Sequence, residues 1–304
     1  MRRSGLVPAL SALLLAASLA ACGGGPSAEK QYVEQPVEQL YNDAADLLDK
    51  GRWTEAATAF DEVERQHPFS SWARRSLLMG AYARYRLNEY DAAIEAAQRF
   101  VSLHPGSDSA AYAYYLIALS HFEQILDVGR DQNTTYLALQ ALAEVIRRFP
   151  ESEYARDAQY KAEMASDQLA GKEMSVGRYY LDKEQHLAAI NRFRRVIETP
   201  NFQTTSHAPE ALHRLVEAYL SVGLVDEALK AAAVLGYNYP GSEWYERSYR
   251  LMTSDKLPVP EYGRDTKKAR KEAARRGARR GQLAPPELNE ESLEKGSNVP
   301  LDEE

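Results

Sequence analysis

The sequence predicts an all-α fold, a solenoid of about five stacked helix pairs, and three observations predict it. Ala, Leu, Glu, Arg and Gln, all good helix formers, dominate the body of the chain, and the strict alternation of a strand is nearly absent. Prolines punctuate the helical stretches at Pro68, Pro105, Pro150, Pro200 and Pro240. Twelve residues before each stands an alanine, at Ala56, Ala93, Ala138, Ala188 and Ala228. This is the pattern of a tetratricopeptide repeat, in which a small side chain lets helix A and helix B approach closely and a proline ends helix B.

The chain opens differently. Arg2 and Arg3 precede an apolar run to Ala21, and Leu19-Ala20-Ala21-Cys22 follows the layout of a bacterial lipoprotein box. Residues 1–21 therefore read as a signal peptide, too short for a membrane span. Cys22, the one cysteine of the chain, reads as the lipidated residue, and residues 22–36 as a flexible tether. Gly23 stands where lipoproteins retained in the inner membrane usually carry Asp, which implies delivery to the outer membrane. A single cysteine excludes an internal disulfide framework and a cysteine-rich metal site.

Residues 37–255 form the expected solenoid. Gly51-Arg52-Trp53, Asn88-Glu89-Tyr90 and Gly223-Leu224-Val225 mark turns before a helix B. Phe60 and Val63, Ala97 and Phe100, and Leu142 and Val145 keep constant offsets from their prolines. The intervals between prolines are 37, 45, 50 and 40 residues, so insertions swell the middle units. In the fourth unit Arg192 and Arg195 occupy the apolar offsets, and Phe193 and Val196 are displaced by one. Either helix B is rotated there or the arginines face a partner. A long uninterrupted helix is expected from about Tyr154 to Tyr180, weakened at Gly171 and Gly177 by roughly 1 kcal/mol each.

Residues 256–304 form a charged tail, disordered or partly helical. Nine Lys or Arg between Arg264 and Arg280 face only Asp265 and Glu272, while seven acidic residues and one Lys follow from Glu287 onward.

Nothing in the sequence points to an enzyme, a cofactor or a metal. The six histidines do not converge: His67 and His104 both precede repeat prolines, and His207 and His213 are six apart rather than on one helical face. No phosphate loop, nucleophile elbow or zinc-protease signature appears. The net charge is -7, and removal of the leader leaves 35 basic against 44 acidic residues, which excludes nucleic-acid binding through overall positive charge. A binding surface remains, and aromatic and arginine side chains are its usual anchors. Phe69 and Trp72, Tyr82 and Tyr85, the cluster Tyr112, Tyr114 and Tyr115, and Tyr179 with Tyr180 are the candidates, more than half of them expected in the core.

Particular stretches carry a family resemblance. They are His67-Pro68-Phe69, Leu78-Met79-Gly80-Ala81-Tyr82-Ala83, Arg99 to Pro105, Leu169-Ala170-Gly171-Lys172-Glu173 with Val176-Gly177-Arg178-Tyr179-Tyr180, and Ala188-Ala189-Ile190-Asn191-Arg192. With the lipobox and five repeats, these resemble the BamD family of the outer-membrane β-barrel assembly machinery. The resemblance implies a non-enzymatic scaffold, lipid-anchored on the periplasmic face of the outer membrane. Its implied partners are a BamA-type barrel subunit, other assembly lipoproteins and unfolded outer-membrane protein clients. It places Arg192 of the Asn-Arg pair against the barrel subunit, with Glu173, Tyr179 and Tyr180 on the same partner-binding surface. Client segments are implied at the N-terminal repeats, where Phe69, Trp72, Tyr82 and Tyr85 stand. The alternative is a tetratricopeptide lipoprotein adaptor for another envelope process, such as peptidoglycan synthesis or secretion.

Overall fold

A computed structural model describes residues 35–254; the leader, Cys22, most of the tether and the tail from residue 256 lie outside the described residues. Eleven α-helices follow one another there. They are α1 (Val37–Asp49), α2 (Trp53–Gln66), α3 (Ser71–Arg86), α4 (Tyr90–Leu103), α5 (Ala110–Phe122), α6 (Asn133–Arg148), α7 (Glu153–Asp182), α8 (His186–Glu198), α9 (Ala208–Ser221), α10 (Val225–Asn238) and α11 (Glu243–Ser254). Each packs on its successor, and α1, α3, α5 and α7 also touch in series, as stacked helix pairs require. α11 packs on α9 and α10, in the place of a sixth helix A.

Two turn geometries repeat along the stack. At the A-to-B turns a residue with positive φ precedes the N-cap: Gly51 (φ 70°), Asn88 (φ 60°), Glu184 (φ 58°) and Gly223 (φ 76°). The N-caps that follow, Arg52, Glu89, Gln185 and Leu224, all have φ near -85° and ψ between 61° and 65°. Each N-cap N–H donates back into the preceding helix, Gln185 to the Tyr180 carbonyl at 2.9 Å, for example. Glycine and asparagine suit the left-handed region, whereas a glutamate there is strained by its Cβ. Glu184→Gly is expected to raise stability by about 1 kcal/mol, a rise in Tm of roughly 2–4 °C by thermal unfolding. No gain would mean that the turn relaxes without glycine.

At the B-helix ends, His67, His104, Phe149 and Tyr239 share φ of -129° to -133° and ψ of 50° to 58°, each directly before its proline. A residue before proline is driven out of the helical region, which fixes the stop. Pro68 and Pro150 are each followed two residues later by a serine, Ser70 or Ser152, whose hydroxyl accepts from the third amide of the next helix A, at 3.0 and 3.1 Å.

The fourth unit differs by one residue. α8 has 13 residues where α2 and α4 have 14, and Thr199 adopts φ -83°, ψ 118° before Pro200. The fully buried small residue is consequently Ala189 rather than Ala188, and it aligns with Phe193 and Val196, all at 0% exposure. Helix B is therefore not rotated; its proline arrives one residue early. Ala56, Ala93, Ala138 and Ala228 are likewise at 0%.

The insertions have definite places. Residues 123–132 form a long α5–α6 connection, strapped to α7 by Gln168 donating to the Leu126 carbonyl (2.8 Å) and Lys172 to the Gly129 carbonyl (3.0 Å). α7 itself is 30 residues long, about 45 Å at 1.5 Å per residue. Its first half, with Tyr154 and Ala158, joins the core built on α1–α6; its second half, with Leu169, Ala170 and Met174, joins the core shared with α8–α11.

Candidate partner-binding surfaces

Residues on the second half of α7 meet α8 at one buried carboxylate. Glu173 is 9% exposed in its side chain, and it accepts from Arg192 Nη1 at 3.1 Å and from Arg195 Nη1 at 3.1 Å. Arg192 and Arg195 lie three apart, on one helical face. Burying a carboxylate is tolerable only when its charge and lone pairs are met, and two guanidinium groups do so with one positive charge in surplus. Arg192 and Arg195 remain 35% and 63% exposed. Beside them opens a cavity of about 460 Å³, lined by Arg130, Gln132, Tyr136, Lys172, Val176 and Arg192.

Tyr180 stands seven residues after Glu173, on the same face two turns on, and packs partly into the core. Tyr179 lies around the helix, 59% exposed, with its ring 5.7 Å from Tyr180 and the Lys183 ammonium 6.0 Å above it. Between them and α9, Arg178 reaches Glu210 at 2.9 Å.

On the other flank of α8 runs an apolar groove of about 640 Å³, between α8 and α10 with α9 as its floor. Leu187, Ile190, Tyr219, Leu224 and Val234 line it, and Leu187 is 67% exposed. In the sequence Leu224 marks a turn and Ile190 a family stretch, and none of the five stands out as part of a surface. The available signal was a leucine at the start of two B helices, Leu187 in the first turn of α8 and Leu224 at the N-cap of α10.

The four aromatic residues expected to hold clients fall into two groups at opposite ends of α3. Phe69 is entirely exposed in the α2–α3 corner, and Trp72 lies beside it, half-buried. Tyr85 is thirteen residues beyond Trp72, about 20 Å along the helix. Its hydroxyl donates to Glu123 at 3.4 Å, its ring lies 5.9 Å from Tyr90, and burial with the nearby Glu123 carboxylate pushes its pKa up. Tyr82 is core rather than surface: it is 4% exposed, edge-on to Trp53, and its hydroxyl accepts from Arg86 at 2.9 Å. Arg86 also covers Trp53 at 4.3 Å. Tyr112 and Tyr115 are core as well, and Tyr115 donates to the buried Asp157; burial, then this bond, raises its pKa.

His213 is buried by α11, with Nδ1 2.8 Å from Ser248 Oγ and Nε2 3.3 Å from Glu217. Burial works to raise the Glu217 carboxyl, but His213 and Arg214 outweigh it and hold its pKa below the usual range. Among the described residues no group of three or more His, Cys, Asp or Glu could hold a metal ion, and no helix is long and apolar enough to cross a membrane.

Known proteins bear on these surfaces. A family model described as "Outer membrane lipoprotein" (YfiO) matches residues 33–235. An outer membrane protein assembly factor BamD of Caulobacter vibrioides is 56% identical over 251 residues, covering 82% of this chain and 81% of that protein. The chain belongs to the BamD family. Other BamD proteins match over similar lengths: that of Rickettsia prowazekii is 44% identical across 81% of this chain and 97% of its own length. A Neisseria meningitidis serogroup A BamD is 34% identical across 78% and 92%. BamD proteins are non-enzymatic assembly factors and outer-membrane lipoproteins, which accounts for a chain whose described part offers surfaces rather than a reaction centre.

Proposed function

We propose that this chain is the scaffold lipoprotein of an outer-membrane β-barrel assembly complex, tethered through acylated Cys22 on the periplasmic face of the outer membrane. The α7–α8 face, with Arg192, Glu173, Tyr179 and Tyr180, docks the periplasmic region of a BamA-type barrel subunit. The neighbouring α8–α10 groove takes a second assembly lipoprotein. Unfolded client segments engage the N-terminal repeats, around Tyr85 and Tyr90. One observation carries the reading: two arginines converge on one buried carboxylate, so the surface has a guanidinium to lend to an acidic partner without stranding Glu173.

The test is affinity capture of the full-length lipidated chain from detergent-solubilised membranes, followed by mass spectrometry. A β-barrel subunit should be the main partner; enrichment of peptidoglycan-synthesis or secretion proteins in its place would move the chain to another envelope process. Cys22→Ser removes the acyl chains, each worth about 0.8 kcal/mol per buried methylene. That variant should lose processing and leave the outer-membrane fraction after a high-salt wash. Retention in the membrane without its lipid would reject the anchor.

A further inference from the structure

The α2–α3 corner, whose Phe69 and Trp72 the family resemblance counts among client residues, lies about 20 Å along α3 from Tyr85, and its chemistry is also that of a bilayer interface. We propose that this corner is a second contact with the lipid surface, Phe69 entering the boundary between headgroups and acyl chains while Trp72, Arg74 and Arg75 sit at headgroup level.

Phe69 is 102% exposed, and the backbone of its corner is held by hydrogen bonds. The Ser70 N–H and hydroxyl both donate to the His67 carbonyl, at 3.1 and 2.9 Å, and the same hydroxyl caps α3. The surroundings are amphipathic. The Trp72 ring lies 4.8 Å from Tyr41, and the Arg75 guanidinium is 5.5 Å above Trp72. Arg74 extends the patch to the next corner: after burial itself, its charge is what holds the His104 pKa down, and Leu103 beside His104 is 57% exposed. Aromatic rings with one wet edge, arginines with apolar stems and a projecting phenylalanine are the set that settles in a membrane interface. Of the carboxylates on α2, Glu62 is held by Arg65.

Position supports the same occupant. Tyr41, against which Trp72 packs, is four residues into α1, so the corner lies beside the first turns of the helix stack. The fourteen residues 23–36 can reach at most about 50 Å. The proposal rests on the acylation of Cys22, which would keep this edge, and not the A-to-B edge with Leu224, within reach of the bilayer.

In the lipidated full-length chain Cys22 is blocked, so Phe69→Cys supplies the only free thiol. Labelled there with an environment-sensitive fluorophore and reconstituted into phosphatidylethanolamine–phosphatidylglycerol vesicles, the chain should show blue-shifted emission quenched by acyl-brominated lipid. The same label on Leu224→Cys should report water, and water-like emission at both positions overturns the proposal. Because a dye can seek lipid by itself, an unlabelled chain beginning at residue 23, with neither leader nor acylated cysteine, gives a second reading. Adding Phe69→Ser should weaken its flotation with the same vesicles about tenfold, with Tm unchanged. No difference between the two chains overturns the proposal. So does unchanged flotation combined with lost crosslinking to an unfolded outer-membrane protein, which would assign the ring to clients. Mass spectrometry of Cys22 reports the anchor separately, so its failure is distinguishable from failure of the corner.

Discussion

Gly177→Ala is expected to lower the melting temperature, although alanine is the better helix former. A Cβ built at Gly177 falls 2.4 Å from Phe193 Cε1, with Cδ1 and Cζ also inside 3.0 Å. Phe193 is at 0% exposure in the core of the fourth and fifth units, so its ring cannot swing aside. Overpacking of this kind costs about 1–3 kcal/mol, against roughly 0.5–1 kcal/mol gained in helix propensity. The net loss is about 1–2 kcal/mol, at roughly 2–4 °C per kcal/mol for a domain of this size. Gly171, in the same helix, is the control: its Cβ would meet His207 Nε2 at 3.1 Å, at a part-exposed edge that can yield. Gly171→Ala should therefore change Tm little. The cause is checked by combining Gly177→Ala with Phe193→Leu. Removing the ring edge should make the pair less destabilised than the sum of the single changes, and simple additivity would mean that the close approach is not the origin.

That glycine shows where the sequence was legible and where it was not. The repeat was readable because its signals are local: a proline denies the next helical hydrogen bond, and an alanine permits close contact, whatever else is nearby. The boundaries of α7 followed from the same logic. Gly177 read as a local weakness because propensity counts only the helix that holds it, whereas Phe193, which makes it necessary, comes sixteen residues later. Glu184 escaped notice because its role is a backbone angle that the Gly51 and Gly223 turns advertise by residue type and a glutamate does not. The aromatic candidates split for a related reason. Tyr82, Tyr112 and Tyr115 look like Tyr85 or Phe69 in sequence, and only packing separates a ring wedged against Trp53 or Tyr154 from one left in water. The displaced Phe193 and Val196 did mark the fourth helix B correctly as unusual. The one-residue shortening before Pro200, which moves Arg192 and Arg195 onto offsets that are apolar in the other units while the helix keeps its register, required the structure.

Arg192→Glu is expected to weaken capture of the barrel subunit at least thirtyfold while the chain stays folded. Losing one side of a buried charge pair commonly costs about 2–5 kcal/mol of affinity, and about 1.4 kcal/mol is tenfold. The fold tolerates the change because Arg195 still answers Glu173 at 3.1 Å and position 192, 35% exposed, lets the introduced carboxylate turn into solvent. The same geometry sets the effect of the second arginine. With Arg195→Gln, Glu173 has Arg192 alone, and a partner carboxylate must take that guanidinium from a carboxylate only 9% exposed. Arg195→Gln should thus weaken binding by less than Arg192→Glu does. The order is the informative outcome: Arg192→Glu weakest, Arg195→Gln between, wild type strongest, with all three unfolding at closely similar temperatures. Wild-type capture by Arg192→Glu would place the dock elsewhere on the stack, the α8–α10 groove being the next surface to probe, through Leu187→Asp. A large fall in Tm for Arg192→Glu but not for Arg195→Gln would instead make Arg192 the structural partner of Glu173, with no guanidinium to spare for a second protein.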